Sequence, residues 1–355
     1  MATELVESAL ELAFPDRPIE SIAEPGPSWN DANETVRVTF PGGDAAFLKV
    51  AADENGDRIR RERAVLSDVG ANTAVPVPTV REAAPTARTP YLVTEPLAGE
   101  PLLARWSATD PAGREALVQD VGATLAHLHT RRFDEHGIVV GTRDAGSATA
   151  GGDAAVADTA HDPAAEATDD GTATLDLRTA PWTDVLVETI EEIRALATTD
   201  RFDRAFDDVI DAVYANRDRL DDAPAALLHG DPAKPNCVVT DDGGAGPTAP
   251  IGLLDWERAH VGDPARDLHR VREQQLASLD EPAPEHLVEA LYAGYRDVAG
   301  SLPAGFEERA PLYRAAWTLG YASVIDRLSA YRDESRETVA TLIETEIERN
   351  LGTLD

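Results

Sequence analysis

The sequence predicts an α+β protein built from two lobes, an N-terminal antiparallel sheet lobe and a larger, mainly helical C-terminal lobe. Strand-like alternation of apolar and polar side chains dominates the first hundred residues, whereas apolar residues at helical spacing dominate most of the chain beyond them. Proline and glycine in the segment EPLAG, residues 95–99, mark a connector between the two patterns. We therefore expect residues 1–97 to form one lobe and residues 98–355 the other.

The N-terminal lobe is predicted to contain a β-hairpin, one helix and a further strand. Residues 36–40 alternate apolar and polar side chains, the turn sequence PGGD follows, and residues 46–50 form a second apolar run. Residues 57–70 then place apolar side chains at helical spacing and end on a glycine, which is a common helix stop. Residues 91–94, with the sequence YLVT, resume a strand just before the connector.

The C-terminal lobe is predicted to be mainly helical. Leu117, Val121, Leu125 and Leu128 recur at spacings of three and four, so residues 112–130 should form a helix with one buried face. Comparable helical patterns occur in four further segments, residues 182–197, 201–220, 284–300 and 309–349. The last of these segments is long enough for two helices.

Residues 142–176 differ from the segments on either side. The stretch holds eight acidic residues and one arginine, and its only large apolar side chains are Val156 and Leu175. Such a segment cannot bury enough apolar surface to offset the conformational entropy lost on ordering. We expect a flexible acidic insertion within the C-terminal lobe.

The chain is strongly acidic, with 65 Asp and Glu residues against 32 Lys and Arg residues and a formal net charge of −33. Binding to nucleic acid or to an anionic membrane needs a basic surface, so we expect neither partner. Lysine occurs only at Lys49 and Lys234, and arginine supplies the other basic residues. Excess carboxylate with scarce lysine resembles the composition of haloarchaeal proteins, in which concentrated salt screens the self-repulsion. We therefore interpret the acidity as a halophilic adaptation.

The sequence shows no sign of a membrane span, a disulfide or a zinc site. Its apolar runs are far shorter than the roughly eighteen residues that a spanning helix needs. The first residues carry glutamates rather than the basic and then apolar order of a signal peptide. Cys237 is the single cysteine. We expect a soluble, cytoplasmic protein, and the sequence does not indicate its oligomeric state.

The most informative segment, residues 227–257, carries two short apolar runs separated by a Gly/Pro/Asp loop, which predicts a second hairpin. In an antiparallel hairpin the residue entering the first strand and the residue leaving the second lie at the same end, so Asn236 and Asp255 should be neighbours. Asp231 and Lys234 lie on the loop just before the hairpin. Because Mg²⁺ prefers carboxylate and amide oxygens together with substrate phosphates, the segment predicts a magnesium site.

The order HGD, four residues and then Asn, from His229 to Asn236, followed after the hairpin by LLDWE, resembles the aminoglycoside phosphotransferase family of small-molecule kinases. Upstream, Lys49 in FLKV and Glu62 in RRERAVL match the strand lysine and the helix glutamate of that family. Downstream, GDPARDLHRV at residues 262–271 matches the family segment after the metal-binding Asp. The resemblance implies a two-lobed protein-kinase-like fold.

The same resemblance implies an ATP-dependent transfer of the γ-phosphoryl group to a hydroxyl of a small molecule. Asp231 would act as the base for that hydroxyl, and Asn236 and Asp255 would hold Mg²⁺. Lys49 would neutralise the α and β phosphates, and Glu62 would position Lys49. Among small-molecule alcohols, the sequence does not identify the acceptor, nor does it distinguish ATP from GTP as the donor.

Further residues complete the implied site. Lys234, inside the catalytic loop, is a cation placed to meet the transferring phosphoryl group. Ser28 and Asn30 lie in the segment expected to cover the phosphates, which has no GxGxxG pattern, and they are candidate hydrogen-bond donors. The connector from Glu95 to Leu97 is the candidate segment for backbone hydrogen bonds to adenine.

Several nearby residues have structural alternatives. His229 is interpreted as an organiser of the loop, because the resemblance gives the role of base to Asp231. Asp263 and Asp267 fit either contact with metal or acceptor or capping of the helix after Gly262. Three aromatic residues on the late helices fit either the core or an acceptor pocket, namely Trp317, Tyr321 and Tyr331.

Two other functions fit parts of the same pattern. The atypical phosphate loop would suit a nucleotide-binding regulator without catalysis. Asp231 and Asp255 as paired carboxylates would suit a metal-dependent hydrolase, although Lys49 and Glu62 would then have no role. The short distance from LLDWE to GDPARDL leaves no room for a long activation segment, which favours a small molecule over a protein as acceptor.

Overall fold

The computed structural model describes residues 3–24, 33–52, 55–143, 174–240 and 249–354 of the chain. Within these residues the chain forms twelve α-helices and twelve strands, and the strands make three antiparallel sheets. The first and largest sheet belongs to the N-terminal region, and helices dominate the rest, so the two-lobed α+β architecture is confirmed. No helix in the described ranges is long and apolar enough to cross a membrane.

The strands of the described residues are β1 (Ser21–Ala23), β2 (Asn33–Thr39), β3 (Ala45–Ala51), β4 (Val80–Ala84), β5 (Tyr91–Thr94), β6 (Glu100–Pro101), β7 (Gly137–Arg143), β8 (Thr174–Thr179), β9 (Ala226–Leu228), β10 (Cys237–Val239), β11 (Ile251–Leu253) and β12 (His260–Gly262). The α-helices are α1 (Glu4–Ala13), α2 (Asp57–Asn72), α3 (Leu102–Ala108), α4 (Pro111–Leu128), α5 (Trp182–Ala195), α6 (Asp203–Ala215), α7 (Arg217–Asp221), α8 (Pro264–Val271), α9 (Glu285–Ala299), α10 (Phe306–Leu319), α11 (Ile325–Arg332) and α12 (Arg336–Leu351). A π-helical turn over Arg272–Leu276 continues α8 directly.

The N-terminal sheet has the strand order β1-β2-β3-β5-β4, and the predicted first hairpin is confirmed as β2 and β3. Side chains along a strand alternate between its two faces. Leu48 and Val50 are buried on one face, in a hydrophobic cluster that also contains residues of α1. Lys49, between them, projects from the other face and meets Glu62 on α2.

Helix α2 lies between the sheet and the C-terminal lobe. The apolar residues Ile59 and Val69 lie on one side of this helix and are fully buried in the main hydrophobic core. On another side, the Arg61 guanidinium donates to two backbone carbonyl oxygens of the C-terminal lobe, Val139 O from Nε and Glu257 O from Nη1, each at 3.0 Å. The helix that carries Glu62 is therefore attached to both lobes.

Helices α4 and α9 pack backbone against backbone in the C-terminal lobe. Both contact points are glycines, because a side chain would not fit at either one. A Cβ atom on Gly122 would lie 2.0 Å from Leu291 O, and one on Gly294 would lie 1.9 Å from Gln119 O. The two glycines allow this close approach, which holds α4 and α9 together within the C-terminal lobe.

The second predicted hairpin is confirmed as β10 and β11, with Cys237 opposite Leu253 and with β6 as a third strand. The Leu254 N–H donates to the Asn236 carbonyl at 2.9 Å, just beyond the paired residues. Asn236 and Asp255 therefore lie at the same end of the hairpin, as the antiparallel arrangement requires.

Two predicted helical segments are divided more finely than expected. Residues 201–220 form α6 and α7, because Asn216 leaves the helical conformation between them. Residues 309–349 fall within three helices rather than two. A 3₁₀ turn over Gly320–Ser323 ends α10, and Asp333, in the left-handed conformation, ends α11.

The acidic insertion predicted over residues 142–176 is shorter at both ends in the structure. Thr142 and Arg143 continue β7, where they pair with Leu175 and Thr174 of β8. Both ends of the segment are therefore strand residues of one hairpin. Residues 144–173, the rest of the predicted insertion, lie outside the described residues.

Candidate active site

Three carboxylates surround the ammonium of Lys49 where β3, α2 and the end of β11 meet. Its Nζ atom lies 2.6 Å from Glu62 Oε2, 2.5 Å from Asp255 Oδ1 and 3.1 Å from Glu257 Oε2. An oxygen from each carboxylate lies within 4.8 Å of the others, close enough for them to share one metal ion. The structure thus brings together three predicted site residues and adds Glu257 to them.

The carboxylates outnumber the cations in this cluster, and the pKa values of its members are shifted. Burial works against the charged form of Lys49, but the three carboxylates outweigh it and raise the pKa of Lys49 well above its usual value. Burial raises the pKa of Glu62 to about 7, and it also raises the pKa of Asp255. For Glu257, burial is overcome by Lys49 and Arg58, which lower its pKa. A divalent cation would balance the remaining negative charge.

The backbone of Asp255 is itself unusual. Its φ of 66° lies in the left-handed region, which few residues other than glycine adopt. Strained backbone of this kind persists where the surrounding contacts hold it, and it is common at functional sites. One such contact is visible in the next residue, since the Trp256 N–H donates to Glu62 Oε1 at 3.4 Å. Glu62 therefore holds both Lys49 and the turn after Asp255.

The loop before β10 is organised by a buried histidine. His229 Nε2 lies 2.9 Å from Leu254 O, and its Nδ1 lies 3.2 Å from the Asp231 N–H nitrogen. A neutral imidazole has one donor and one acceptor nitrogen, so these two partners assign the proton to Nε2. Burial lowers the pKa of His229, which favours this neutral form. His229 thus organises the loop, as the sequence predicts.

Two buried aspartates hold the same region from the side of α8. The Asp267 carboxylate accepts the backbone N–H groups of His229 at 2.7 Å and Gly230 at 3.1 Å. Asp263 caps α8, because its side chain accepts the Ala265 N–H at 3.0 Å. Of the two alternatives open for these aspartates, the contacts favour structural roles.

Asp231, the predicted base, lies on the rim of this loop with its side chain 24 % exposed. Its Oδ1 accepts hydrogen bonds from Arg270 Nη2 at 2.9 Å and from Gln274 Nε2 at 2.8 Å. Burial works against the charge of Asp231, but Arg270 and Arg258 outweigh it and lower the pKa of Asp231. The carboxylate is therefore ionised at neutral pH and able to accept a proton.

Asn236 is tied to Asp231 through the backbone. Its Nδ2 donates to the Asp231 carbonyl oxygen at 3.0 Å, which orients the amide and leaves Oδ1 on the other side. Asn236 immediately precedes β10 and Asp255 follows β11, so the side-chain oxygen of Asn236 and the carboxylate of Asp255 lie at the same end of one hairpin. These are the two ligands that the sequence predicts for Mg²⁺.

Lys234 has surroundings different from those predicted. Its ammonium donates to the Gln275 carbonyl oxygen and lies 4.4 Å from the centre of the Trp106 ring. Burial lowers the pKa of Lys234 to about 8. Neither contact involves Asp231, Asn236 or the Lys49 cluster. The geometry therefore gives the side chain a packing role between α3 and the π-helical turn, and it does not support the predicted contact with the phosphoryl group.

The connector between β5 and β6 carries the predicted adenine-binding residues. The Glu95 N–H donates to Thr79 O at 2.8 Å, and its carboxylate accepts from Arg81 Nε at 3.2 Å. Leu97 packs on the hairpin, where a Cβ atom on Gly252 would lie 2.4 Å from Leu97 Cδ2. Within the described part of the chain, the Glu95 carbonyl and the Leu97 N–H have no hydrogen-bond partner. One acceptor and one donor are thus available on this edge.

The predicted phosphate loop is described only at its end. Ser28 and Asn30 lie outside the described residues. Asn33, where β2 begins, donates from Nδ2 to the Glu257 carboxylate. The end of the loop is therefore attached to the carboxylate cluster around Lys49.

The sequence did not single out Glu257, Arg270 or Gln274 as site residues. Glu257 follows Asp255 by two positions, and a period of two in extended chain would have suggested that both carboxylates lie on one side. Arg270 and Gln274 are four residues apart, which is one helical face. Nothing in the sequence indicates that this face turns towards Asp231, because that depends on how α8 packs.

The late aromatic residues have separate roles. Trp317 lies under the guanidinium of Arg270, 4.8 Å from ring centre to Cζ, and it meets Tyr321 edge to face at 5.8 Å. Tyr331 is 83 % exposed and belongs neither to the core nor to this group. Trp317 is thus the aromatic residue placed beside the predicted base.

A sheet lysine paired with a helix glutamate, followed by a helical lobe with an aspartate loop and a second hairpin, is the architecture of protein-kinase-like phosphotransferases. Residues 27–312 match the model of the phosphotransferase enzyme family, APH. The chain therefore belongs to this family of small-molecule kinases, and the metal-dependent hydrolase is set aside. No curated protein matches the sequence.

Three solved structures show the shared fold. An aminoglycoside-3'-phosphotransferase of type VIII is 22% identical, with a TM-score of 0.55 over 88% of this chain and 98% of that chain. An ADP-bound aminoglycoside phosphotransferase is 13% identical, with a TM-score of 0.56 over 100% and 99% of the two chains. A macrolide 2'-phosphotransferase apoenzyme from Brachybacterium faecium is 17% identical, with a TM-score of 0.51 over 95% and 97%.

Proposed function

We propose that the protein transfers the γ-phosphoryl group of ATP to a hydroxyl of a small molecule, with Asp231 as the base. The observation that carries this proposal is the contact network of Lys49, Glu62 and Asp255. These residues come from three distant segments and meet within hydrogen-bond distance. The family defines the reaction class, and the network supports this assignment of roles within it.

Lys49 would bind the α and β phosphates of the nucleotide, and Glu62 would hold the ammonium in place. An ammonium that stays charged and buried is a strong partner for phosphate oxygens. The free Glu95 carbonyl and Leu97 N–H would bind the adenine edge. Ser28 and Asn30 would donate hydrogen bonds to the phosphates. The ADP complex of one structural relative supports a nucleotide donor.

Asn236 and Asp255 would hold Mg²⁺, and the donor set fits this ion. Each offers an oxygen, both lie at one end of the hairpin, and Asp255 belongs to a cluster with excess negative charge. Glu257 is a third oxygen donor in the same cluster. When bound, Mg²⁺ would supply neutralisation of the phosphate charge that develops during transfer.

The acceptor hydroxyl would bind at Asp231. Its oxygen forms a bond to the γ phosphorus while the bond from that phosphorus to the β,γ-bridging oxygen breaks, and ADP leaves with the electron pair. The hydroxyl proton passes to the Asp231 carboxylate. Because such transition states are loose, the main task of Asp231 is to orient the hydroxyl. Its hydrogen bonds from Arg270 and Gln274 leave Oδ2 as the oxygen that faces the acceptor.

The test is ATP or GTP consumption in molar KCl against a panel of alcohols, amino alcohols and sugars. Asp231→Asn should lower kcat by about 10² to 10⁴ with the nucleotide KM little changed, because proton acceptance and orientation are lost. Lys49→Ala should mainly raise the nucleotide KM. Asp208→Asn, at an exposed site on α6, is the matched control for the loss of one carboxylate. Full activity of Asp231→Asn together with Asp231→Ala would overturn the proposal.

A nucleotide-binding regulator without catalysis would give a different result. Nucleotide would bind with Lys49-dependent affinity, yet no member of the panel would stimulate its consumption. Calorimetry with ATP alongside the turnover assay therefore separates the two functions.

A further inference from the structure

Two arginines lie near Asp231, the predicted base, although the chain as a whole carries a net charge of −33. The charges of Arg270 and Arg258 both act on Asp231. Most arginines of this acid-rich chain can find a carboxylate partner on the surface. Arg270 and Arg258 thus bring two positive charges to the surroundings of Asp231, where Asp267 also acts on Arg270 and Glu257 on Arg258.

Arg270 is held firmly in this position. Its Nη2 binds Asp231 at 2.9 Å, the guanidinium lies over the Trp317 ring, and its side chain is 13 % exposed. Its buried Nε has no hydrogen-bond partner among the described residues. That Nε is closed to solvent, whereas no described residue forms a hydrogen bond with Nη1, so the donor capacity beside the predicted base lies at Nη1.

Arg258 is available to a ligand as well. None of the described residues forms a hydrogen bond or an ion pair within 4.0 Å with its guanidinium, in a chain with 65 carboxylate side chains. Its backbone lies against the loop that carries Asp231, since a Cβ atom on Gly230 would lie 2.3 Å from Arg258 O. The charge of Arg258 acts on Asp231 and Glu257 from a longer distance. A partly buried cation without a hydrogen-bond partner is a candidate for binding an anion.

Gln274 adds a neutral acceptor to the two cations. Its Nε2 is used by Asp231, whereas its buried Oε1 has no partner within the described chain. This oxygen is closed to solvent in the structure, so a second hydroxyl on the acceptor could donate to it only after the Gln274 amide turns outward. Unsatisfied buried polar atoms of this kind are costly, and a bound ligand that pairs with them offsets the cost.

An acceptor hydroxyl hydrogen-bonded to Asp231 would lie within about 6 Å of the Arg270 guanidinium, given ordinary hydrogen-bond lengths. An anionic group one or two carbon atoms from that hydroxyl would then reach the guanidinium. Arginine binds carboxylate with two parallel hydrogen bonds, which fixes orientation as well as charge.

We propose that the acceptor is a hydroxy acid or a similar anionic alcohol, whose hydroxyl binds Asp231 while its anionic group binds Arg270 and Arg258. This inference rests on the proposed function and narrows its substrate. The Trp317 ring packs against the guanidinium of Arg270. A polycationic acceptor would bring its charges close to both guanidinium groups, where concentrated salt screens the repulsion less than it does between distant surface charges.

The test uses sets of compounds that share a skeleton and differ in charge. One set is glucuronate, glucose and glucosamine, and the other is glycerate, glycerol and 3-amino-1,2-propanediol. Glycerol 3-phosphate distinguishes a phosphate from a carboxylate as the anionic group. The anionic members should give a kcat/KM at least about tenfold higher than the neutral and cationic members, in KCl from 1 to 3 M as working concentrations.

Variants identify the residues responsible. Arg270→Gln keeps a donor for Asp231 and removes the charge, so it should raise the KM of the anionic acceptor by about tenfold or more and leave the ATP KM unchanged. Arg258→Gln should act in the same direction, and Arg270→Lys should retain part of the affinity. Arg204→Gln, whose side chain is 92 % exposed, is the control for the loss of one positive charge. Thermal unfolding checks that each variant is folded.

The two proposals fail in distinguishable ways. Preferred turnover of a neutral or cationic member, or an unchanged acceptor KM in Arg270→Gln, overturns the anionic acceptor and leaves the kinase function intact. If no compound is turned over, saturation-transfer NMR with Mg²⁺ and a non-hydrolysable ATP analogue measures binding of the same sets. Binding of the anionic members that Arg270→Gln weakens supports the proposal, and absence of such binding overturns it.

Discussion

Asp267 holds the backbone of His229 from inside the protein, with its Oδ2 atom 2.7 Å from the His229 nitrogen, while its Oδ1 accepts from the next residue, Gly230. Both N–H groups belong to the turn that presents Asp231. Although burial opposes the charge of Asp267, His129, whose Nε2 lies 3.6 Å from Asp267 Oδ2, and the other nearby histidines hold its pKa well below the usual range. Asp267 thus remains an anion bound to two backbone donors.

Asp267→Asn should lower kcat by about tenfold or more and destabilise the protein by about 1 to 3 kcal/mol, because an amide has only one acceptor oxygen for two N–H groups. The nucleotide KM should change little, since the Lys49 cluster is untouched. Steady-state kinetics and chemical denaturation measure the two effects. Asp208→Asn is the control, and an unchanged kcat would show that the loop does not depend on Asp267.

The sequence predicts the site residues that lie in local motifs. The structure explains why the other site residues could not be predicted. The motifs HGD and LLDWE and the residue Asn236 lie close together along the chain. Hairpin geometry alone therefore places Asn236 beside Asp255. The position of Arg270 beside Asp231 depends instead on how α8 packs against the catalytic loop, and such packing cannot be read from a local motif. The place of Lys234 within a motif does not fix the direction of its long side chain either, and in the structure that side chain contacts Trp106 and the Gln275 carbonyl.

Glu257→Gln tests the carboxylate that the sequence did not single out. The variant removes one of three charges around Lys49, so the affinity for Mg²⁺ with nucleotide should fall, by about threefold to thirtyfold in the Mg²⁺ concentration needed for half-maximal rate. Folding should be retained, because the amide can still accept from Asn33. Titration of the rate with Mg²⁺ measures the effect. An unchanged Mg²⁺ requirement would separate Glu257 from the metal site.

Lys234→Met tests the packing role of that lysine. A cation over an aromatic ring contributes about 0.5 to 2 kcal/mol, so the variant should lose stability in that range. The kcat should stay within about threefold of the original value, because the ammonium contacts Trp106 and Gln275 rather than the Lys49 cluster. A fall in kcat of more than about 10² with normal stability would restore the catalytic role.

Buried histidines make the stability depend on pH below neutrality. Burial lowers the pKa of His260 to about 3 and that of His269 to about 3. In the unfolded chain the pKa is about 6.5, so the unfolded state binds more protons than the folded state between these values. The stability contribution is therefore fully present above about pH 6.5 and is lost progressively as the pH falls towards 3.

Chemical denaturation at constant molar KCl, in steps from pH 7 to pH 4, measures this dependence. His269→Gln should flatten the slope of the free energy of unfolding against pH. His286→Gln, at a site where the side chain is 58 % exposed, should leave the slope unchanged. Equal slopes in the two variants would contradict the assignment.

Gly294→Ala tests the contact between α4 and α9. The new methyl would lie 1.9 Å from Gln119 O, so the helices must separate, and the cost should be about 2 kcal/mol or more. Gly320→Ala is the matched control, because its backbone is helical and no described atom lies within 4 Å of the new methyl. Denaturation midpoints should fall for the first variant and stay level or rise for the second. Similar midpoints would show that the helix pair adjusts.

The attachment of α2 to the C-terminal lobe through Arg61 bears on how the enzyme is controlled. Many protein kinases are switched on when the helix that carries the glutamate swings inward to meet the sheet lysine. Here that swing would require Arg61 to give up two carbonyl oxygens of the other lobe, so we expect Glu62 to stay engaged with Lys49 in the resting enzyme. We expect such a kinase to need no activating signal, so its turnover rate would depend on the concentration of its acceptor.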